Sequence, residues 1–357
     1  MKSILEKARP ILALSRQRAD EGHCSMLRQV AEMSWLMATR RNGPGYYHAA
    51  RLWERGVAWA AKAAHPSEKQ YLAALDRLNP LAYRKIFENK LTEKAFLQMA
   101  GIPTAPFLGH LHAQHGFGID GGRLGTPEDL ARLVASNPHP RICFKEPEGW
   151  GGRNFRAVAV HKRNGEVYFR ALPDGQEEAL RTYFDRELRV AEGVNWLVEV
   201  HLDQDDGYAR FNPTSFNTVR MLVIRDADGT VRLVGAYIRM GNGPVMVDHV
   251  TYGGFAAPVD VQTGRLGPGW PKSIFEPAVT VHPFSKVHIE GEVLPHWEQL
   301  CAASLEAVRR LTFLRYAGLD VGMTPDGPVV FEVNSRPDRL GLARMGTRFT
   351  RSPLDIP

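Results

Sequence analysis

Three oxygen-bearing side chains near the C-terminus have the types and the spacing of a magnesium site. Asp320 lies in one apolar run, Glu332 and Asn334 lie at the end of another, and the turn residues 325–327 separate the two runs. This pattern predicts a β-hairpin in which Asp320 faces Glu332. Side chains in a strand repeat every two residues, so Glu332 and Asn334 share a face. Two carboxylates and one amide suit a nucleotide-bound Mg²⁺. An ordinary hairpin with a polar outer face is the alternative.

A lysine and a glycine-rich segment in the middle of the chain have the composition of a phosphate site. Lys145 ends an apolar stretch, and Trp150, Gly151 and Gly152 lie in the loop before a second strand-like stretch at 155–161. Glycines let backbone N–H groups approach phosphate oxygens, and the lysine adds a point charge. Walker and dinucleotide-binding loops lead into a helix, whereas this loop joins two strands. It therefore resembles a flap over a nucleotide, with a plain glycine-rich turn as the alternative.

A short extended segment with acidic residues behind it lies between these two sites. Glu199, Val200 and His201 continue a strand-like run, and Asp205 and Asp206 follow. An extended segment between two lobes can offer backbone C=O and N–H groups to an adenine edge, and a carboxylate a few residues later can bind ribose hydroxyls. By itself the segment does not specify a nucleotide.

The elements that must position these residues divide the chain into three parts. Apolar residues at helical spacing predict helices over residues 1–80, including one at 46–64. Further helices are predicted at 90–97, with Thr92 as N-cap, from 127 onward and at 176–191. Strands are predicted at 142–145, 155–161, 167–172, 196–200, 218–225 and 231–240. We therefore expect an α+β fold with a helical N-terminal region (1–80), a small lobe carrying the flap (81–200) and a large lobe carrying the metal site (201–357).

The composition excludes several classes of protein. The chain has 357 residues, of which 44% are hydrophobic and 24% charged, which is typical of a folded protein with more than one lobe. It has no apolar run of about 18 residues and no signal-peptide core, which predicts a cytoplasmic location and no membrane partner. Cys24, Cys143 and Cys301 fit neither a disulfide framework nor a zinc site. The net charge of +6 attracts anions, but the basic residues lack the patterns of nucleic-acid modules.

Taken in order along the chain, the motifs resemble the ATP-grasp superfamily. The order runs from Lys90 and the glycine-rich flap through Glu199 and Arg239 to the acidic hairpin. More narrowly, residues 40–340 are similar to the sugar-transfer-associated ATP-grasp proteins, relatives of the α-L-glutamate ligases. This similarity lies in FNTVR at 216–220, YIRMG at 237–241, VDH at 247–249 and GG at 253–254. It implies two α+β lobes gripping ATP, and a phosphorylated carboxylate that an amine attacks.

The resemblance also implies roles for individual residues. It assigns phosphate contacts to Lys145 and Lys90 and places Gly151 and Gly152 in the flap. The other implied ligand residues are Glu199, Val200 and His201 for adenine, Asp206 for ribose, and Asp320, Glu332 and Asn334 for Mg²⁺. Arg239 and Arg220 would stabilise charge on the transferring phosphoryl group, with a salt bridge inside a sheet as their alternative. His249 is interpreted as structural.

The sequence thus predicts an enzyme, an ATP- and Mg²⁺-dependent carboxylate–amine ligase. It would form an amide bond through an acyl phosphate and release ADP and phosphate. The expected partners are a small carboxylate and an amine, derived from amino acids, peptides or sugars. Arg336 stands where relatives have a Pro-Gly continuation, and we expect it to contact a substrate anion. A kinase acting on a small-molecule hydroxyl and a non-catalytic nucleotide-binding scaffold are the alternatives. The N-terminal helices would pack on the catalytic body or join copies of the chain.

Overall fold

The structure is a computed structural model, and it describes residues 4–149, 151–172 and 174–345. Trp150 of the predicted flap and residues 346–357 of the predicted large lobe lie outside the described residues. The division of the chain at residues 80 and 200 stays a prediction.

Six helices form the N-terminal region. They are α1 (Ile4–Asp20), α2 (Met26–Arg40), α3 (Pro44–Ala49), α4 (Trp59–Ala63), α5 (Glu68–Leu78) and α6 (Leu81–Arg84). The prediction of one helix over 46–64 was wrong. Arg51 and Gly56 adopt left-handed backbone conformations between α3 and α4, which a continuous helix does not allow.

A seven-stranded antiparallel sheet follows these helices. Its strands are β1 (Phe107–Leu111), β2 (Phe117–Gly118), β3 (Arg141–Lys145), β4 (Arg156–Arg163), β5 (Glu166–Ala171), β6 (Glu177–Ala179) and β7 (Trp196–Val200). Their order is β2-β1-β7-β3-β4-β5-β6, so the strand that ends at Lys145 lies beside the strand that carries Glu199. Leu130, Leu133 and Val134 of α8 (Pro127–Ser136) pack in the core of this sheet.

Two details of this part differ from the sequence prediction. The predicted N-cap Thr92 was wrong, because α7 (Lys90–Met99) begins after Asn89, whose side chain accepts hydrogen bonds from the backbone of residues 91 and 92. The predicted helix over 176–191 was also wrong, because its first residues pair with β5 as the edge strand β6. Only α9 (Leu180–Tyr183), a π-turn at Phe184–Leu188 and a 3₁₀ turn at Val190–Glu192 follow.

The second sheet has five antiparallel strands. They are β8 (Val219–Arg225), β9 (Val231–Met240), β10 (Phe255–Val259), β11 (Tyr316–Thr324) and β12 (Gly327–Asn334), in the order β10-β9-β8-β11-β12. The predicted hairpin is confirmed, since Asp320 pairs with Glu332 and Gly318 with Asn334. Three more helices belong to this half of the chain: α10 (Asp206–Ala209), α11 (Trp297–Arg310) and α12 (Arg339–Arg344).

Both faces of the five-stranded sheet are covered. Val219, Met221 and Val223 of β8 point to the side of α11, where they join Leu300 and Val308 in one core. The alternate residues of the same strand, Leu222 and Ile224, pack with the N-terminal helices, including Leu36, Tyr47 and Leu75. The N-terminal helices thus pack on the body of the protein. No helix among the described residues is long and apolar enough to cross a membrane.

Candidate active site

A cleft collects most of the predicted site residues. It encloses about 1060 Å³, including open solvent at its mouth. The predicted residues that line it are Lys90, Lys145, Gly151, Gly152, Val200, His201, Arg239, Asp320 and Glu332. Its described lining does not include Glu199, Asp206, Arg220 or Asn334.

A buried carboxylate between two lysines stands behind part of the cleft lining and reaches the cleft through Lys145; we name this group the lysine wall (Lys94, Lys145 and Glu199). The Glu199 side chain is 1% exposed, and its oxygens lie 2.5 Å from Lys94 Nζ and 2.6 Å from Lys145 Nζ. Glu199 stands on β7 opposite Cys143 of β3, and Lys94 reaches it from α7. The sequence prediction missed Lys94, although it follows Lys90 by one helical turn. The Glu199 side chain faces these lysines. The predicted adenine contact by Glu199, Val200 and His201 stays a prediction.

The charges of the lysine wall leave Lys145 available to an anion. Burial disfavours the ammonium ion of Lys145, but the paired Glu199 carboxylate outweighs burial and raises the pKa of the lysine. Burial also opposes ionisation of Glu199, and the two lysines lower its pKa despite that. Two cations around one anion leave one net positive charge, and Lys145 is the more exposed of the two, at 19%. A phosphate in the cleft would meet that charge.

The flap is attached at both its base and its tip. At the base, the Lys90 ammonium donates to the Gly149 carbonyl and the Lys90 backbone N–H donates to the Pro147 carbonyl. At the tip, Gly152 has a φ of +75°, and a Cβ there would lie 2.7 Å from a methyl carbon of Val247. Gly152 is therefore required both by the backbone conformation and by the close approach of Val247. The described part of the flap closes against the segment that carries Asp248 and His249.

A buried carboxylate between two arginines forms a second charged group at the cleft, which we name the arginine wall (Arg220, Arg239 and Asp320); Arg239 and Asp320 line the cleft. Asp320 on β11 lies opposite Arg220 on β8, and both oxygens of the carboxylate accept from the Arg220 guanidinium. Arg239 Nη2 donates to Asp320 Oδ2 over 2.8 Å and to Thr218 Oγ1 over 2.7 Å. Burial opposes ionisation of Asp320, but the two guanidinium groups outweigh it and lower the pKa of the carboxyl.

The two arginines differ in what they can reach. Arg239 lines the cleft, whereas Arg220 is 7% exposed and lies outside the lining. Arg239 has a second acid nearby, since its Nε lies 3.5 Å from Asp248 Oδ2. The salt bridge within a sheet, considered as the alternative for both arginines, is therefore present for both. Only Arg239 also faces the space where a substrate would bind.

The oxygen donors on the hairpin fit a magnesium ion. Asp320 accepts three hydrogen bonds from guanidinium groups, which leaves about one of a carboxylate's four acceptor positions free. Among the described residues, nothing forms a hydrogen bond or ion pair with the Glu332 carboxylate, which lines the cleft. The amide nitrogen of Asn334 is buried without a partner in the described structure. An amide flip would put its oxygen in the same place. Glu332 is thus the most available ligand.

A second carboxyl group behind the hairpin was missed by the sequence prediction. Glu93 on α7 is 3% exposed, and its Oε1 accepts a hydrogen bond from the backbone N–H of Val333, between Glu332 and Asn334. Burial first, and the neighbouring Glu332 carboxylate second, raise the pKa of Glu93 well above its ordinary value. Glu93 therefore fixes the strand that carries two predicted metal ligands. Among the described residues, no three His, Cys, Asp or Glu side chains cluster as a metal site.

The predicted adenine segment lines the cleft, but its N–H groups are in use. Val200 N donates to the Pro106 carbonyl and His201 N donates to the Arg141 carbonyl. His201 Nδ1 is buried without a partner in the described structure, and burial lowers the pKa of this ring to about 4. A base would therefore meet a neutral imidazole here. Asp206 is exposed at the first position of α10.

A known family matches the part of the chain that supplies every residue of this cleft. The chain belongs to the sugar-transfer associated ATP-grasp family, whose model matches residues 70–348. The predicted family and the predicted ATP-grasp fold are thereby confirmed. Among curated proteins, no sequence match was found.

Several solved structures are distantly similar to the chain. An ADP complex of N5-carboxyaminoimidazole ribonucleotide synthetase is 14% identical over 76% of this chain and 53% of its own, with a TM-score of 0.41. D-cycloserine synthetase is 12% identical over 85% of this chain and 91% of its own, with a TM-score of 0.42. D-alanyl-alanine synthetase A from Vibrio cholerae is 10% identical over 74% of this chain and 59% of its own, with a TM-score of 0.40. The chain spans about half the length of the first of these. These likenesses are too distant to assign an activity.

Proposed function

We propose that this protein is an ATP-dependent carboxylate–amine ligase. The observation that carries the proposal is that Lys145, the glycines of the flap, Arg239, Asp320 and Glu332 line one cleft. Its membership of an ATP-grasp family supports the use of ATP. The reaction would form an amide bond between two small molecules through an acyl phosphate, with ADP and phosphate as the other products.

In this proposal the lysine wall and the flap bind the triphosphate. Lys145 and Lys90 carry positive charge to the cleft, and Gly151 and Gly152 bring backbone to its edge. Glu199 holds the Lys145 ammonium at a fixed position, so that little ordering is needed when the phosphates arrive. Val200 and His201 border the same space and would contact the base. Asp206 remains the proposed ribose contact.

The arginine wall accounts for the transfer. A carboxylate oxygen of the first substrate attacks the γ-phosphorus and ADP leaves; the amine then attacks the acyl carbon and phosphate leaves. Arg239 faces the cleft with part of its guanidinium fixed by Asp320 and Thr218, and would stabilise charge that develops on the phosphoryl group. Glu332, Asp320 and Asn334 would hold Mg²⁺, which would neutralise phosphate charge and polarise the phosphoryl group. Arg220 would support Asp320 from behind.

The test is a screen of the purified chain for ADP release. ATP and magnesium are mixed with pools of amino acids, peptides, sugar acids and amines, and productive pools are divided until one carboxylate and one amine suffice. We expect ADP and phosphate in equal amounts and a product whose mass is the sum of the two substrates less one water. The Arg239→Lys variant, which keeps the charge and loses the planar fork, serves as the matched control.

The same screen separates the alternatives. A product that gains the mass of a phosphate, without amine, would replace the ligase assignment by a kinase. ATP-dependent thermal stabilisation without ADP release in any pool would instead point to a nucleotide-binding scaffold. Either result would overturn the proposal.

A further inference from the structure

One acidic side chain of the cleft has no role in the proposed reaction. The acids among the described lining residues are Glu146, Asp248, Asp320 and Glu332. Asp320 and Glu332 are the proposed Mg²⁺ ligands, and Glu146 accepts a hydrogen bond from Asn154 within the flap. Asp248 is left, a residue that lines the same cleft and is only 9% exposed. Its surroundings decide what it can bind.

The protein contacts of Asp248 converge on one of its two carboxylate oxygens. Oδ2 accepts from the backbone N–H of Thr218 over 2.9 Å and also from the Thr218 hydroxyl. Arg239 Nε lies 3.5 Å from the same oxygen. No described residue bonds to Oδ1, and that oxygen is not among the atoms sealed from solvent without a partner. Asp248 is therefore a fixed carboxylate with one oxygen open to a ligand.

The contact with Arg239 places Asp248 beside the proposed reacting group. The proposed function puts the phosphoryl group of the acyl phosphate at Arg239, and one oxygen atom separates that group from the carbon that the amine attacks. Two carboxylates contact Arg239, and Asp320 is a proposed Mg²⁺ ligand, so Asp248 is the one available to the amine. Arg220 adds a second positive charge. Two cations thus face two carboxylates, and a cationic amine meets no net repulsion from this group.

The segment that carries Asp248 is held in place and covered by the flap. His249 Nδ1 accepts the backbone N–H of Thr251 over 3.3 Å, which fixes the turn after Asp248. A Cβ on Gly151 would lie 3.9 Å from His249 Cε1, and Gly152 packs against the preceding residue, Val247. The flap glycines therefore lie against both neighbours of Asp248. A covered site keeps water away from a reactive acyl phosphate.

We propose that Asp248 binds the amine substrate as its ammonium ion, through Oδ1. This inference rests on the proposed function and adds the amine site to it. An ammonium group offers only donors, and its hydrogen bonds to a carboxylate are charge-assisted. One of its protons passes to Asp248 as the nitrogen attacks the acyl carbon. The C–N bond forms, the C–O bond to phosphate breaks, and a second nitrogen proton leaves with the phosphate. The substrate class is an alkyl amine, which is protonated at neutral pH.

The experiment lets two nucleophiles compete for one acyl phosphate. The purified full chain receives ATP, Mg²⁺ and the carboxylate pools of the screen, together with methylamine and hydroxylamine at neutral pH. Methylamine is then an ammonium ion, whereas hydroxylamine is mostly uncharged. Mass spectrometry gives the ratio of N-methylamide to hydroxamate. Both products come from the same intermediate, so the ratio does not depend on how fast ATP is consumed.

The wild type is compared with acetyl phosphate and the same two nucleophiles in buffer. We expect the enzyme to raise the ratio of methylamide to hydroxamate at least about tenfold, as a hydrogen bond to a charged group does. An unchanged ratio would overturn the amine site and leave the acyl phosphate standing. Absence of hydroxamate from every pool would instead overturn the ligase, and this inference with it.

Asp248→Asn tests the residue itself. The asparagine keeps an oxygen for the two Thr218 donors and replaces Oδ1 by an amide nitrogen, so the ratio should fall to its value in buffer. Asp260→Asn is the matched control, because this exposed acid accepts only from its own turn at residues 262 and 263. It should keep the wild-type ratio. An unchanged ratio in Asp248→Asn would overturn the proposal, and the wild-type comparison decides alone if that variant does not fold.

Discussion

The two walls of the cleft use the same arrangement with different chemistry. In each, one buried carboxylate lies between two cations: Glu199 between lysines on one side and Asp320 between arginines on the other. On the lysine wall the carboxylate is hidden and a cation, Lys145, faces the cleft. On the arginine wall Asp320 itself lines the cleft beside Arg239. The lysine wall therefore offers a point charge held in place by Glu199, and the arginine wall offers a planar donor held by Asp320 together with an acid.

This difference shows that an acidic residue in a candidate site is not automatically a ligand. Glu199 is a counter-ion whose work is to keep Lys145 charged and in place. Asp320 is a counter-ion with about one acceptor position to spare, whereas the Glu332 carboxylate has no hydrogen bond or ion pair with any described residue. Buried ion pairs contribute little net stability relative to apolar side chains, but removal of one partner leaves an uncompensated charge. The following predictions test how far the two walls differ.

The largest effect is expected from removal of the carboxylate in each wall. Glu199→Gln leaves two buried lysines without a counter-ion, and should lower the free energy of unfolding by about 3–5 kcal/mol. Asp320→Asn should cost less, because Arg239 retains Asp248 and Thr218 as partners. Denaturant unfolding of both variants measures the difference. Glu192→Gln, in an exposed pair with Arg189, is the control and should show no measurable change. Equal losses of unfolding free energy in Glu199→Gln and Asp320→Asn would show that the two walls do not differ in their dependence on the carboxylate.

The next effect concerns the cation that faces the cleft. Lys145→Met removes the point charge opposite the phosphates, and should reduce turnover about 10²–10³-fold. The measurement is the rate of ADP release with the substrate pair identified for the wild type. Lys162→Met, at an exposed position on a strand of the same sheet, should keep wild-type turnover. Normal activity in Lys145→Met would show that the reaction does not need the lysine wall.

Substitution of the two arginines should have different effects: one variant should lose turnover and the other should lose stability. Arg239→Lys removes the planar guanidinium group from the cleft and should reduce kcat about 10²-fold. Arg220→Lys should mainly lower stability, because Arg220 is buried behind Asp320 and lies outside the cleft lining. Turnover and melting temperature are measured for both variants. A larger loss of kcat in Arg220→Lys than in Arg239→Lys would reverse the assignment of roles.

The smallest effect is in the pH dependence of stability. Burial and Arg141 lower the pKa of His201, beside the lysine wall, to about 4, whereas an unfolded histidine titrates near 6.5. Between these values the unfolded state binds more protons, so stability rises with pH in that window and falls as the pH drops through it. At pH 5, His201→Gln should reduce the slope of the free energy of unfolding against pH by the amount that corresponds to about one bound proton.

His249, beside the arginine wall, gives the matching experiment. Burial and Arg239 lower its pKa in the same direction, to a lesser extent. His249→Gln should therefore reduce the slope less than His201→Gln does. A larger change for His249 would contradict the comparison. Urea unfolding from pH 4 to 7 gives both slopes.

Local patterns predicted much of this architecture. The pairing of Asp320 with Glu332 followed from a turn between two apolar runs and from the two-residue period of strands. The flap position followed from a lysine at a strand end and from glycines that join two strands. These are properties of short segments, so one sequence suffices to find them.

The charge partners could not be predicted, because they depend on contacts between distant segments. Lys94 meets Glu199, and Glu93 meets Val333, only after α7 packs between the sheets. Arg220 and Asp320 were both recognised as candidates, but nothing local indicates that residues 100 positions apart are hydrogen-bonded. The predicted helix over 176–191 failed for the same reason, since pairing with β5 overrides local helical preference.

The contact of the Lys90 ammonium with the Gly149 carbonyl has a consequence for how ligands enter. The ammonium group that would bind a phosphate is therefore the same group that holds the base of the flap. An incoming polyphosphate would compete with the Gly149 carbonyl for this donor. Phosphate binding would then remove one of the two hydrogen bonds at the base of the flap and leave the bond from the Lys90 backbone N–H to the Pro147 carbonyl, so the flap would be looser but still attached when a nucleotide is bound.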